Sequence, residues 1–227
     1  VAVRRQLRWA AVQARRHRQA VDWEIRQIRR ALDRLGAPLL LLKGAAYVAG
    51  DLDAGQGRLF SDIDVLVERA VLAEAESALM LHGWTSAKLD PYDQRYYRVW
   101  MHEIPPMVHP QRGTAIDVHH AILPLSARAR PDPARLRAAA RRLPGGADVR
   151  VLGPMDMVLH SATHLFYDGE FDRGLRDLLD IHRLLGQFGA EPGFWEGLAA
   201  RAHELQLGRP LFYALRYARL VLLSPGP

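Results

Sequence analysis

Cysteine is absent from the 227 residues, which excludes a disulfide framework and a thiolate metal site. That absence fits a reducing compartment, and a cytoplasmic location is expected. No apolar run approaches the ~20 residues of a membrane span. Residues 1–30 are arginine-rich and lack the long apolar core of a secretory signal, so no membrane partner is expected. The chain opens at Val1, so a leading segment is expected ahead of it. Lysine is scarce too: among 31 basic residues only Lys43 and Lys88 are lysines. A net charge of +6 would suit nucleic acid. The arginine and alanine bias instead looks like genome composition, and the arginines read as a solvated surface. The same bias singles out Lys43, where a compact, strongly hydrated ammonium stands in place of the default arginine. Its plain alternative role is an ion pair with an aspartate.

What is present is ordinary for a globular chain: 49% apolar and 25% charged residues. The length suits one α/β unit with a helical extension. Residues 1–36 read as one or two helices, with Trp9, Val12, Val21, Ile25, Ile28 and Leu32 as an intermittent apolar stripe. Gly36-Ala37-Pro38 stops that segment before an apolar strand. Residues 71–82 read as a helix burying Leu72, Ala75, Leu79 and Met80. Residues 96–101, 104–109 and 114–122 alternate as antiparallel strands would. Residues 124–146 form a connection with one helix, and from Pro154 onward the pattern is helical: 155–167, 171–188, 194–205 and 209–223. The expected division is 1–36, 37–125 and 126–227.

The chemistry concentrates in two apolar runs. Leu39 to Leu42 ends in Lys43-Gly44, and Asp62-Ile63-Asp64 opens a run continuing as Val65-Leu66-Val67. In a strand, alternate residues share a face, so Asp62 and Asp64 point the same way. Like charges so close repel and raise each other's proton affinity. A divalent cation between them relieves this, and hard cations such as Mg²⁺ bind carboxylates while keeping positions for phosphates. Asp51-Leu52-Asp53 has the same spacing but sits among glycines and reads as a turn. A third acid, Asp117, lies inside Thr114-Ala115-Ile116-Asp117-Val118-His119. Three acids on one sheet face would suit two metals stabilising attacking and leaving oxygens. The alternative is that Asp117 pairs with an arginine.

These elements, in this order, resemble the polymerase-beta-like nucleotidyltransferase superfamily. Within it the resemblance is to the bacterial uncharacterised nucleotidyltransferase family, and runs from about Leu39 to about Leu185. It takes in Lys43-Gly44, Arg58-Leu59-Phe60-Ser61-Asp62-Ile63-Asp64, Ile116-Asp117-Val118-His119, the helix with His160 and His164, and Arg173 to Ile181. The resemblance implies an α+β fold: a small mixed β-sheet nucleotidyltransferase core with flanking helices and a C-terminal helical subdomain. It implies that Asp62 and Asp64 hold the metals, and that Asp117 binds one and activates an acceptor hydroxyl. Two Mg²⁺ ions are expected, with Mn²⁺ an alternative. The partner is a nucleoside triphosphate, ATP by default. The acceptor is open among a tRNA, a protein and a small molecule. Where the superfamily often has Gly-Ser or Gly-Gly after the first strand, this chain has Lys43-Gly44-Ala45, as its branch tends to.

Lys43, Gly44, Arg58 and Ser61 are expected around the phosphates. His119, His164 and Asp180 are the further candidates for the acceptor or the surrounding shell. An ion pair of Asp180 with Arg176 or Arg183 is the simpler reading for that residue. His160 and His164 stand at i, i+4, but Ser161 replaces the glutamate of the zinc-protease pattern. A packed or hydrogen-bonded pair is expected there. Two other classes remain: a non-catalytic nucleotide-binding regulatory module on the same fold, and an arginine-rich RNA-binding protein. The scattered aromatics weigh against the second.

Overall fold

The computed structural model describes residues 2–145, 148–167 and 174–227. Helix α1, Ala2–Ala31, is a single 30-residue helix. Only its C-terminal half is part of the core. Val21, Ile25, Ile28, Ala31 and Leu32 are buried, whereas Trp9, expected on the same stripe, is 62% exposed. Gly36, at φ +64°, takes the left-handed turn after the short helical turn that follows α1. Strand β1, Leu39–Leu41, then enters the core fully buried.

Helix α2, Lys43–Ala49, follows at once, and β2, Asp62–Leu66, returns antiparallel to β1. Helix α3, Leu72–Leu81, buries Ala75 and Leu79 as expected, but Met80 is exposed. Strand β3, Thr85–Ser86, helix α4, Pro91–Trp100, and strands β4, Met107–His109, and β5, Thr114–His119, complete the first half.

The expected strand over 96–101 is a helix. Asp90 caps it by accepting a hydrogen bond from the Tyr92 amide, and Pro91 occupies its first turn. Its aromatics stand at helical spacing. Tyr92 stacks on Tyr96 at 6.4 Å, and Tyr96 meets Trp100 at 6.0 Å. An i, i+4 ladder stabilises a helix as well as β-propensity favours a strand. The strand expected over 104–109 begins only at Met107, with Glu103 making an isolated bridge to His119.

The 124–146 connection holds α5, Pro133–Ala138, and also a short strand, β6, Arg141–Arg142; β7, Val149–Val151, follows it. Residues 146 and 147 of that connection lie outside the described residues. Strand β7 joins the sheet parallel to β1, so the sheet extends past residue 125. The order is β3-β4-β5-β2-β1-β7-β6, a mixed sheet with β2 and β5 parallel at its centre. The remaining described helices are α6, Pro154–Tyr167; α7, Gly174–Phe188; α8, Phe194–Glu204; and α9, Gly208–Leu222. The start of the helix expected from residue 171 lies outside the described residues, as does Arg173 of the matching segment. These four helices pack on one another, and α6 also packs on α2. The architecture is α+β with flanking helices, as expected. No described helix is long and apolar enough to cross a membrane.

The two halves of α1 should respond differently to truncation. Ile28→Ala, at a fully buried position, is expected to cost about 2–5 kcal/mol. Leu7→Ala, at a position 66% exposed, should stay within about 0.5 kcal/mol. Urea unfolding midpoints of the two variants check this.

Candidate active site

Strands β2 and β5 run parallel in a register that makes Asp64 and Asp117 direct neighbours, with Asp62 opposite Ala115. Strand alternation sends Ile63 and Val65, like Ile116 and Val118, into the core, and all four are buried. The carboxylates therefore gather on the other face. Asp64 is buried, Asp62 and Asp117 are half-buried, and Ser61 is exposed at the edge of the site.

Asp64 is the centre of the arrangement. Its Oδ1 lies 2.9 Å from Lys43 Nζ and 3.1 Å from His119 Nε2. Burial alone would push its carboxyl up. The Lys43 ammonium and the His119 contact outweigh burial and hold it well below the usual carboxylate range. Lys43 therefore has the aspartate partner given as its plain role. Its φ of +43° lies in the left-handed region. For a non-glycine residue that costs of order 1–3 kcal/mol and persists only where surroundings enforce it. Here the chain must turn from β1 into α2 while the side chain reaches Asp64.

Among the described residues no arginine forms an ion pair or hydrogen bond with Asp117. Burial, then Asp64, Glu103 and Asp62, push its carboxyl up to about 7, with His119 opposing. A site where one buried carboxylate is held ionised and its neighbour resists ionisation carries more negative potential than its side chains neutralise. The oxygen donors of Asp62, Asp64 and Asp117 match a hard dication. The residues present therefore fit Mg²⁺ at this place.

The expected phosphate residues divide. Lys43 and Ser61 stand beside Asp64 and Asp62. Gly44 is covered: a Cβ there would come within 2.8 Å of Phe60 and 2.9 Å of Arg58 Nε, so glycine is required by close approach. Arg58 forms a buried ion pair with Asp180 on α7, its guanidinium 5.7 Å over the Tyr47 ring. The expected partners of Asp180 are engaged elsewhere. Arg176 meets Asp177, and Arg183 bonds the carbonyls of Asp53 and Gln56.

Helix α6 brings its histidines to the same region. His160 is fully buried. Burial, then the charge of Lys43, drive its pKa well below the ordinary value and keep the ring neutral. His164 is half-exposed, 4.0 Å from Asp177. Among the described residues the pair gathers no third metal donor. Tyr47, deeply buried on α2, has its phenol pKa raised by burial and by Asp180.

Sequence reasoning missed Glu103, His102 and Tyr47. Glu103 reaches the site because its backbone bridges to His119. No local pattern announces that pairing. His119 stands i, i+2 from Asp117 and shares its face, but its contact runs to Asp64 on the next strand.

Removing one partner of a buried ion pair leaves the other charge stranded. Asp180→Ala is expected to destabilise the fold by about 3–5 kcal/mol, read from urea midpoints. Burial lifts the Asp180 carboxyl to about 6 against the pull of Arg58. The folded chain thus binds that proton more tightly than the unfolded chain does. The resulting stability is fully present below the ordinary carboxylate range and is lost as pH rises through about 6. Asp180→Asn should remove this component from a stability–pH series.

The fold is shared with solved structures. The solution structure of the antibiotic-resistance factor ANT(2'')-Ia superposes with a TM-score of 0.53 at 16% identity, over 90% of this chain and 96% of that one. A crystal structure of ANT(2'')-Ia in complex with adenylyl-2''-tobramycin gives a TM-score of 0.52 at 17% identity, over 81% and 96%. At such identities the likeness is one of fold. No curated protein matches the chain. The family model described as uncharacterised nucleotidyltransferase matches residues 1–222. That match spans nearly the whole chain, and the chain belongs to the uncharacterised nucleotidyltransferase family.

Proposed function

We propose that the protein transfers a nucleoside monophosphate from a nucleoside triphosphate, ATP favoured, to a hydroxyl acceptor and releases pyrophosphate. The observation that carries this reading is the register of Asp64 beside Asp117, with Asp62 one strand position pair away and Lys43 on Asp64. The adenylylated product bound to the structural neighbour supports ATP as donor. A small-molecule hydroxyl comes first among the acceptors on the same ground.

Asp62, Asp64 and Asp117 would hold two Mg²⁺ ions. When bound, such ions neutralise triphosphate charge and polarise the α-phosphoryl group. Lys43, beside Asp64, would shift its ammonium to phosphate oxygens, for which a mobile point charge suffices. Ser61 would donate its hydroxyl to the same group. Gly44 and Arg58, touching one another, would form the wall behind the phosphates, braced on Asp180. Asp117 would accept the acceptor's proton as that oxygen bonds the α-phosphorus and the bond to the bridging oxygen of pyrophosphate breaks. His164, at the half-exposed end of the α6 histidine face, would border the acceptor.

Calorimetry of each nucleoside triphosphate with and without Mg²⁺ tests the reading. Wild type should bind ATP only with Mg²⁺, and Asp62→Asn/Asp64→Asn should abolish binding. Asp117→Asn should keep nucleotide binding while pyrophosphate release falls by about 10²–10⁴-fold. Binding that survives the double substitution would remove the acids from the site. Mg²⁺-dependent binding without turnover on any hydroxyl acceptor would favour the non-catalytic regulatory module.

A further inference from the structure

The end of β5 carries a second set of donors, different in chemistry from the three aspartates. Glu103 bridges His119 in antiparallel fashion. The Ile104 amide bonds the Val118 carbonyl, and the His120 and Ala121 amides bond the His102 carbonyl. Backbone pairing thus holds the His102-Glu103 step against the strand end. The donor atoms of His102, Glu103 and His119 all lie within 4.8 Å of one another. The two imidazoles stack at 5.2 Å, and His119 Nδ1 stands 3.2 Å from Glu103 Oε2.

The hydrogen inventory of His119 narrows what this cluster can be. Its Nε2 lies 3.1 Å from Asp64 Oδ1. A carboxylate offers acceptors alone, so Nε2 donates. The other ring nitrogen, Nδ1, faces the Glu103 carboxylate at 3.2 Å. His119 is 2% exposed, and its Nδ1 makes no well-formed hydrogen bond among the described residues. A 3.2 Å separation of nitrogen and oxygen is short enough for both to ligate one metal ion at ~2 Å each. A ligating imidazole held through its other nitrogen by a carboxylate is the arrangement that fixes histidine tautomer and orientation at metal centres.

We propose that His102, Glu103 and His119 bind a borderline divalent transition metal, for which Zn²⁺ is the fitting probe, at a site separate from the oxygen donors of Asp62, Asp64 and Asp117. Two imidazoles and one carboxylate are a donor set that Zn²⁺ takes with a fourth position open. Imidazole nitrogen is a poor match for Mg²⁺, which prefers oxygen. The proposal does not rest on nucleotidyl transfer, because the metal needs no nucleotide to bind. It does couple the two places, since His119 links the cluster to Asp64.

The test uses the full chain, stripped with a chelator and titrated with Zn²⁺ by calorimetry in the absence of nucleotide. Co²⁺ absorption in the visible provides a second readout of coordination. The expected result is one saturable Zn²⁺ site that excess Mg²⁺ does not displace. His102→Ala and Glu103→Gln should each weaken it by at least about tenfold. Asp62→Asn/Asp117→Asn should leave it unchanged. Both ligand substitutions fall at partly exposed positions. Circular dichroism melts verify folding, and if one variant unfolds the other decides. Absence of saturable binding by folded wild type overturns the proposal. So does unchanged affinity in the folded ligand variants, or loss of the site in the Asp62/Asp117 pair.

Discussion

Two carboxylates in register on adjacent parallel strands, near the middle of an otherwise apolar sheet, set a requirement that the surrounding chain has to meet. Asp64 and Asp117 cannot both ionise cheaply in that setting. Lys43 and His119 settle the matter for Asp64, and Asp117 is left with its proton affinity raised. The left-handed backbone at Lys43 is the local consequence, because the ammonium has to reach across from the end of β1. A neutral, buried His160 is another: a second positive charge beside Lys43 would undo the balance.

The helical half is attached to this centre through polar contacts as well as apolar packing. Asp180 on α7 holds Arg58, which lies against Gly44 and over Tyr47. Arg183 and Gln187, further along α7, bond the backbone around Asp53 and Gln56. The loop between α2 and β2 is thereby clamped between the two halves. A change in α7 is transmitted to Arg58, three residues before Ser61 and four before Asp62, which is why a helix far along the sequence takes part in the site. The arginine surplus, read from composition as surface, thus includes at least one buried structural member in Arg58.

Much of the site could be read locally. Asp62-Ile63-Asp64 and Ile116-Asp117-Val118 carry strand alternation in their own residues, so the face each carboxylate takes follows from period two. Lys43-Gly44 after four leucines marks where β1 must stop. The helices from Pro154 onward follow from periodicity and proline placement. The misread stretch at 96–101 is instructive, because aromatic residues satisfy both a strand's propensity and a helix's i, i+4 ladder. The capping Asp90 and Pro91 before it decided for helix.

The sequence by itself determined the acids, their shared face and the family, because these depend on neighbours along the chain. Tertiary structure decided the rest. It chose Arg58 over Arg176 and Arg183 as the partner of Asp180, brought β7 beside β1, and set Glu103 and His102 against His119. Each of those depends on strand order and on which charges are left without water when the sheet closes. Pairing between segments far apart in the chain is selected by the desolvation of buried groups in the folded state, and local spacing carries no record of it.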